Sequence, residues 1–207
     1  MNKGNREREK GFTLVELLVV IAIIGVLAAV IAPNAFRAVE KSKVSRTLSD
    51  LKAFKTAALA FYADVGFFPA DPMGGTPSWY SDPGLGTTPT TNYYTASITA
   101  LGFSSLSQYN TAVNNNWRGP YVEAPITKKT AWGGRYDYEC WGPGVPRSPS
   151  TIPNGIYITI HEVPTKSADL LVELSTFEVA GGQHYDDDVS SDPDLRKVTL
   201  KICDWPN

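Results

Sequence analysis

The sequence has few of the residues that enzymes use for catalysis or metal binding. Its 207 residues include two histidines, His161 and His184, and two cysteines. The histidines lie far apart and in no metal-ligand spacing, and neither a phosphate-binding glycine loop nor a Gly-x-Ser-x-Gly motif occurs. His161 falls on the polar face of a predicted strand, where we expect it to be solvated. These absences argue against an enzyme.

The chain also has no excess of positive charge. It contains 19 basic and 21 acidic residues, for a formal net charge of −2. Residues 12–207 alone hold 15 basic and 19 acidic side chains. Because a nucleic-acid-binding domain normally carries a basic patch, we expect no nucleic-acid partner.

One acidic run is a candidate metal site, and it comprises Asp186, Asp187, Asp188, Asp192 and Asp194. Ca²⁺ binds several oxygen ligands on a flexible loop. The run does not have the ligand spacing of an EF-hand loop, and charge runs are usually solvated surface. We therefore expect no cofactor, with Ca²⁺ at these aspartates as the alternative.

A long apolar run begins abruptly after a polar leader. The leader, residues 1–11, has a net charge of +2, and residues 12–32 contain Thr13 and Glu16 as their only polar side chains. A helix of that length spans about 31 Å, close to the thickness of the hydrocarbon core of a bilayer. The run predicts a transmembrane helix. A signal sequence cleaved after Ala28 and a plain membrane anchor are the alternatives.

Helical character continues beyond the apolar run. Pro33 either bends a continuing helix or begins a new one. Residues 33–66 predict an amphipathic helix that ends near Gly66, which suits the left-handed C-terminal position. Its apolar stripe is formed by Val44, Leu48, Leu51, Phe54, Ala57, Ala58, Phe61 and Tyr62. The first half of the helix is predicted to contact lipid or other helices, and the second half a folded domain.

Residues 33–207 predict an extracytoplasmic globular domain of the α+β class. Residues 69–116 are rich in Pro, Gly, Thr and Asn and predict a long loop region, with a short helix within 97–109. Residues 117–207 predict strands at 135–141, 155–163 and 197–203, and a short helix at 168–177. We expect the long amino-terminal helix to pack on an antiparallel sheet of three or four strands.

Cys140 and Cys203 lie in this domain, and two cysteines in an exported domain predict a disulfide. Strand alternation places Cys140 in phase with Tyr136 and Tyr138 on the apolar face. The same alternation places Cys203 out of phase with its apolar neighbours. Because twist and fraying at a strand end relax this parity, the pairing is kept as a prediction.

Glu16 is costly in an apolar helix unless its charge is compensated. Its own helix dipole and its own amino terminus are one source of compensation. The amine of a neighbouring chain, exposed by cleavage before Phe12, is another. At a separation of about 4 Å and an effective dielectric constant near 20, such a pair gains about 4 kcal/mol before desolvation. Both explanations remain open.

The stretch Lys10-Gly11-Phe12-Thr13-Leu14-Val15-Glu16 resembles the leader junction of type IV pilins and type II secretion pseudopilins. This resemblance implies that a prepilin peptidase cleaves between Gly11 and Phe12 and methylates the Phe12 amine. It further implies that Glu16 is the assembly carboxylate and that Pro33 bends the helix. The implied partners are further copies of the chain in a filament, minor pilin-like subunits, the prepilin peptidase and an inner-membrane assembly platform.

A second resemblance favours the pseudopilins. Trp117-Arg118-Gly119-Pro120-Tyr121 is similar to a Trp-x-Gly-Pro-Tyr block of the major pseudopilin. The expected function is that of a structural subunit in protein export. It would cross the bacterial inner membrane once, with its domain outside the cytoplasm, and then enter a periplasmic or extracellular filament. A type IV pilus subunit is the alternative, and a membrane-anchored enzyme or binding protein is an alternative of another class.

Overall fold

The computed structural model describes residues 12–72, 83–86, 93–123, 129–146, 152–180 and 194–206. The helices are α1 (Leu14–Val65), α2 (Thr95–Ala100), α3 (Leu106–Asn116) and α4 (Thr165–Leu174). The strands are β1 (Tyr136–Trp141), β2 (Gly155–Pro164), β3 (Glu178–Val179) and β4 (Leu195–Asp204). The chain divides into two compact units between residues 41 and 42. The predicted α+β class is confirmed.

Helix α1 ends where the sequence predicts. Gly66 adopts φ +90° and its N–H donates to the carbonyl of Tyr62 at 2.8 Å, so it closes the last turn in a conformation that suits glycine. Pro33 lies inside α1 and does not begin a separate helix.

The four strands form one antiparallel sheet in the order β1-β2-β4-β3. Tyr138 of β1 lies opposite Ile158 of β2, which lies opposite Leu200 of β4, so these three side chains share one face of the sheet. Three strands were predicted from alternation. The fourth, β3, has two residues, too few for alternation to reveal it.

The second half of α1 packs on this apolar face. Its buried side chains are Val44, Thr47, Leu51, Phe54, Ala57, Ala58, Phe61 and Val65. The ring of Phe54 meets that of Tyr136 edge-on, with centroids 5.2 Å apart. The Tyr136 hydroxyl returns to the helix and donates to Asp50 at 2.9 Å, so the polar end of a buried ring is satisfied. The predicted stripe thus forms the core.

The region predicted as a long loop contains two helices, α2 and α3, rather than one helix within 97–109. Gly102, at φ +91°, separates them because only glycine adopts that backbone conformation without strain. The hydroxyl of Ser105 then accepts from the N–H of Gln108 and caps the start of α3. The helix predicted at 168–177 is α4, which begins three residues earlier and ends at Leu174.

A bulge in β2 lies against the residues that directly precede β1. The pairing register shifts between Ile160 and Val163, and Glu162 adopts φ +59°. Gly134 lies against this bulge: a Cβ there would clash with the carbonyl oxygen of His161 and lie 2.9 Å from the Cβ of Glu162. The N–H of His161 donates to the carbonyl of Arg135 at 2.9 Å. Glycine at 134 is therefore required by close backbone approach.

Candidate functional site

The apolar helix begins with a reciprocal capping arrangement. The backbone N–H and the hydroxyl of Thr13 donate to Oε2 of Glu16 at 2.9 Å and 2.7 Å. In return, the N–H of Glu16 donates to the Thr13 hydroxyl at 3.3 Å. This is a capping box, and it satisfies donors that the first turn of any helix leaves without intrahelical partners. The carboxylate of Glu16 is therefore stabilised within its own chain.

Every side chain from Phe12 to Val39 is exposed, although most of them are apolar. Among the described residues, α1 is the one helix long and apolar enough to cross a membrane. The burial of α1 side chains begins at Val44, so the exposed apolar surface and the domain-packed surface occupy successive parts of one helix. This division matches the prediction of a helix with two environments.

The predicted processing residues lie at the start of this helix. Phe12 is 80 % exposed and precedes the capping box directly. Gly11 lies outside the described residues, as do His184, Asp186, Asp187, Asp188 and Asp192. The roles assigned to Gly11, Phe12, Glu16 and Pro33 stay predictions. Asp194 is described, and its carbonyl accepts from the N–H and hydroxyl of Thr165.

Metal binding has no further candidate in the part of the chain that the structure describes: no group of three His, Cys, Asp or Glu side chains there could hold a metal ion.

The Trp117–Tyr121 block serves a packing role. The indole N–H of Trp117 donates to the carbonyl of Gly84 at 2.8 Å, and the N–H of Tyr121 donates to that of Leu85 at 2.6 Å. A Cβ at Gly119 would lie 2.6 Å from the Trp117 ring, so glycine permits the turn. The Tyr121 hydroxyl donates to Asp64 at 2.9 Å. The block therefore joins the end of α1 to the loop region.

The predicted disulfide is wrong in this structure, where Cys140 and Cys203 are both free and buried. The parity argument also fails, because a register shift at Ile202 places Cys203 opposite Ile156, on the same face as Cys140. The two cysteines nevertheless flank β2 on opposite sides. Two strand spacings separate their Cα atoms by about 10 Å, beyond the reach of a disulfide. Burial raises the pKa of Cys140 to about 12 and that of Cys203 to about 11.

His161 is also placed differently from the prediction. It is 3 % exposed rather than solvated, and its Nε2 lies 3.6 Å from Oδ2 of Asp137. Alternation placed it on the correct face of β2, but that face is largely buried. Periodicity assigns a side chain to a face and cannot show what covers it.

A buried carboxyl pair is the feature that sequence reasoning missed. Asp71 is 9 % exposed, and its carboxyl lies near those of Glu139 and Asp137. Burial, with the nearby charges of Glu139 and Asp137, raises the pKa of Asp71 well above its usual range. Burial and the charge of Asp137 raise the pKa of Glu139 to about 8. Asp71 and Glu139 are 68 residues apart, so no local pattern joins them.

The Thr13–Glu16 capping box was not predicted either, but its pattern is present in the sequence. Thr-x-x-Glu immediately before an apolar run is the known sequence pattern of a capping box. Because the bonds are local, three residues apart, spacing alone was sufficient to predict them.

Two family models match the chain. Residues 6–32 match the prokaryotic N-terminal methylation motif, and residues 38–89 match the model described as "PilW, C-terminal". The first match covers the leader junction, the capping box and the apolar run. The second covers the packed half of α1 and the start of the loop region.

Curated relatives match about a third of the chain or less. The type IV major pilin protein PilA of Myxococcus xanthus is 46 % identical over 57 residues, which are 28 % of this chain and 26 % of that protein. Fimbrial protein EcpC of Eikenella corrodens is 42 % identical over 66 residues, 32 % of this chain and 43 % of that protein. The type II secretion system core protein G of Klebsiella pneumoniae is 38 % identical over 68 residues, 33 % and 49 % respectively. No solved structure matches.

The methylation motif, at the start of an exposed apolar helix, makes the amino-terminal part of this chain similar to type IV pilins and to type II secretion core protein G. The homologues are type IV pilins and type II secretion core protein G, and these are structural subunits rather than enzymes. The predicted resemblance is thus confirmed. The chain spans between about a quarter and a half of the length of these relatives.

Proposed function

We propose that this chain is the subunit of a helical filament, inserted in the inner membrane as a precursor and processed between Gly11 and Phe12. The observation that carries this proposal is the division of α1 into an exposed apolar part and a domain-packed part. When the subunit leaves the bilayer, its apolar surface must be covered again, since exposing it to water costs about 25 cal/mol per Å². Other copies of the same helix supply such a surface.

Glu16 is the residue that sets the position of one helix against the next in this proposal. Both Thr13 donors bond to Oε2, which leaves Oε1 of the same carboxylate for a second partner. After cleavage, the charged Phe12 amine of a neighbouring copy suits that oxygen. The capping box thus reduces the cost of the Glu16 charge in the single subunit. On assembly, the pair with the Phe12 amine of a neighbouring copy stabilises the same charge further.

The test separates the capping role of Glu16 from its charge. Glu16→Gln keeps an acceptor for Thr13 but removes the charge, and Thr13→Val removes the hydroxyl but keeps the charge. Cysteines introduced by Leu14→Cys and Leu18→Cys in co-expressed copies report contact between helices. We expect cross-links in the Thr13→Val background and few with Glu16→Gln.

Two outcomes contradict this proposal. Equal cross-linking with Glu16→Gln would show that the charge pair is not used. A protein that stays monomeric in membranes, with the native residue at position 16, would favour a membrane-anchored enzyme or binding protein instead.

Mass spectrometry of the mature amino terminus tests the processing. A chain that begins at methylated Phe12 is the expected product. A chain that begins after Ala28 would identify residues 1–28 as an ordinary cleaved signal and overturn the proposal. We place the amino terminus in the cytoplasm and the domain outside it, and protease protection in spheroplasts tests that orientation.

We assign the filament to protein export, as a pseudopilus subunit. The support is the Trp117–Tyr121 block, which joins the end of α1 to the loop region, together with the similarity to core protein G. The second candidate is a type IV pilus subunit, which the identities to pilins and the PilW match favour. Deleting the gene distinguishes them, because loss of secreted enzyme activity indicates the first and loss of surface fibres and motility the second.

A further inference from the structure

Two exposed leucines lie on the helices of the folded domain. Among the described residues from 42 onward, the large apolar side chains that are exposed are those of Leu59, Tyr94 and Leu174. Leu59 on α1 is 46 % exposed, and Leu174 at the end of α4 is 48 % exposed. A single exposed leucine is common on a protein surface, so the side chains around each one decide whether it marks a contact.

Leu59 lies beside two lysines on the exposed face of α1. Lys52 and Lys55 precede it by about two turns and one turn, and both side chains are exposed. Because the lysines are three residues apart, their ammonium groups are neighbours on the helix and repel each other. Nζ of Lys55 lies 5.9 Å from the ring centroid of Phe177, whereas Lys52 forms no ion pair with another described residue. We call Lys52, Lys55 and Leu59 the basic surface of α1.

Leu174 lies beside acidic side chains on α4. Asp169 and Glu173 are exposed and four residues apart, so they too are like charges on neighbouring positions of one helix. Glu173 lies in the last turn, where the helix dipole favours a positive charge, and Lys166 lies in the first turn, where it favours a negative one. The charges of α4 therefore oppose its own dipole. We call Asp169, Glu173 and Leu174 the acidic surface of α4.

The two surfaces are complementary to each other. Each combines one exposed leucine with two like charges, and the signs of the charges are opposite. The charge of the domain divides in the same way, since residues 42–65 carry four basic and two acidic side chains and residues 66–207 carry nine and fifteen. Residues that break local rules without a gain inside the fold are expected at functional surfaces. Complementary charge therefore makes a second copy of this chain a suitable partner.

We propose that the basic surface of α1 in one copy docks on the acidic surface of α4 in a second copy. This inference rests on the proposed function and names where the folded domains of neighbouring copies meet. Both leucines are exposed, so neither surface covers the other within one chain. Because the two surfaces differ, the second copy still presents its own α1 surface to a third, and the contact repeats along an open filament.

Disulfide cross-linking between co-expressed full-length copies in membranes tests this contact. One copy carries Leu59→Cys and the other carries Leu174→Cys, and a different tag on each copy identifies the cross-links that join the two. The native Cys140 and Cys203 are buried, so they do not compete. We expect a disulfide between position 59 of one copy and position 174 of the other.

Charge reversal shows whether the charges select the partner. Glu173→Lys in the Leu174→Cys copy, or Lys52→Glu in the Leu59→Cys copy, should lower the cross-linked fraction about five- to tenfold, since attraction becomes repulsion. The two reversals combined, one in each copy, should restore the fraction. Lys129→Glu is the matched control, because it makes the same charge change at an exposed lysine outside both surfaces and should have no effect.

Stability measurements separate a lost contact from a lost fold. A lysine in the last turn of α4 suits the helix dipole, so Glu173→Lys should leave the melting temperature unchanged or raise it while cross-linking falls. A second measurement keeps the native charges. Raising NaCl from about 0.05 M to about 0.5 M should lower the cross-linked fraction, because exposed charges are screened.

Three results would overturn this docking contact: no cross-link between positions 59 and 174 where the Leu14→Cys and Leu18→Cys copies do cross-link, combined reversals that do not restore the cross-link, or a cross-linked fraction that is independent of salt. The first result leaves the filament in place, because its apolar helices still meet. Absence of both kinds of cross-link contradicts the filament as well as the docking contact.

Discussion

The domain-packed half of α1 is amphipathic, and this predicts that two large side chains on its different faces contribute very differently to stability. Phe54 is 2 % exposed and meets Tyr136 edge-on, whereas Leu59, five residues later, is 46 % exposed. Both residues lie in the middle of the helix, and alanine favours the helix at both positions. The comparison of Phe54→Ala with Leu59→Ala therefore isolates packing.

The magnitude follows from what each truncation removes. Phe54→Ala leaves a cavity between helix and sheet and costs about 3–5 kcal/mol, a range measured for buried phenylalanines that includes the lost ring contact. Leu59→Ala removes a half-exposed side chain and should change the free energy of unfolding by about 0.5 kcal/mol or less. For a domain of this size, the first change lowers the melting temperature by about 6–20 °C.

Denaturant unfolding of the full chain in micelles, followed by tryptophan fluorescence, measures both values. A change in the transition midpoint with a constant slope identifies a loss of stability rather than a change in the unfolded state. The reasoning is refuted if Phe54→Ala costs less than about 1 kcal/mol, or if Leu59→Ala costs as much as Phe54→Ala.

Two further predictions concern the sheet. Gly134→Ala should destabilise the domain by about 3 kcal/mol because the added Cβ would clash with the backbone of His161. Gly133→Ala has open space around the added Cβ but keeps φ +94°, so it should cost only about 1 kcal/mol. Denaturant unfolding measures both costs, and the reverse order would contradict the prediction. Cys140 and Cys203 should react slowly with a thiol reagent in the folded protein, since burial raises the pKa of both thiols, and release two thiol equivalents on unfolding without reductant. If the thiols were recovered only after reduction, Cys140 and Cys203 would form a disulfide in the folded protein.

Local spacing determined much of this protein. A continuous apolar run predicted the first half of α1. Apolar periodicity predicted its second half and the strands β1, β2 and β4, because a period of 3.6 or 2 assigns side chains to faces wherever one face is buried. Gly66 marked the helix end through its own backbone conformation. Thr13 and Glu16 had the spacing of a capping box, and the leader junction predicted the resemblance to the N-terminal methylation motif, because both depend on residues within one or two turns.

Tertiary structure decided whatever depends on residues far apart in sequence. The intervening strand β2, rather than strand parity, determined that Cys140 and Cys203 do not pair. The cover on the second face of the sheet buried His161, and alternation cannot report such a cover. The tertiary fold alone brings Asp71 near Glu139, since 68 residues separate them in sequence. Their burial, the proximity of their charges and their raised pKa values follow from that placement, and a pattern of neighbouring residues contains no information about it.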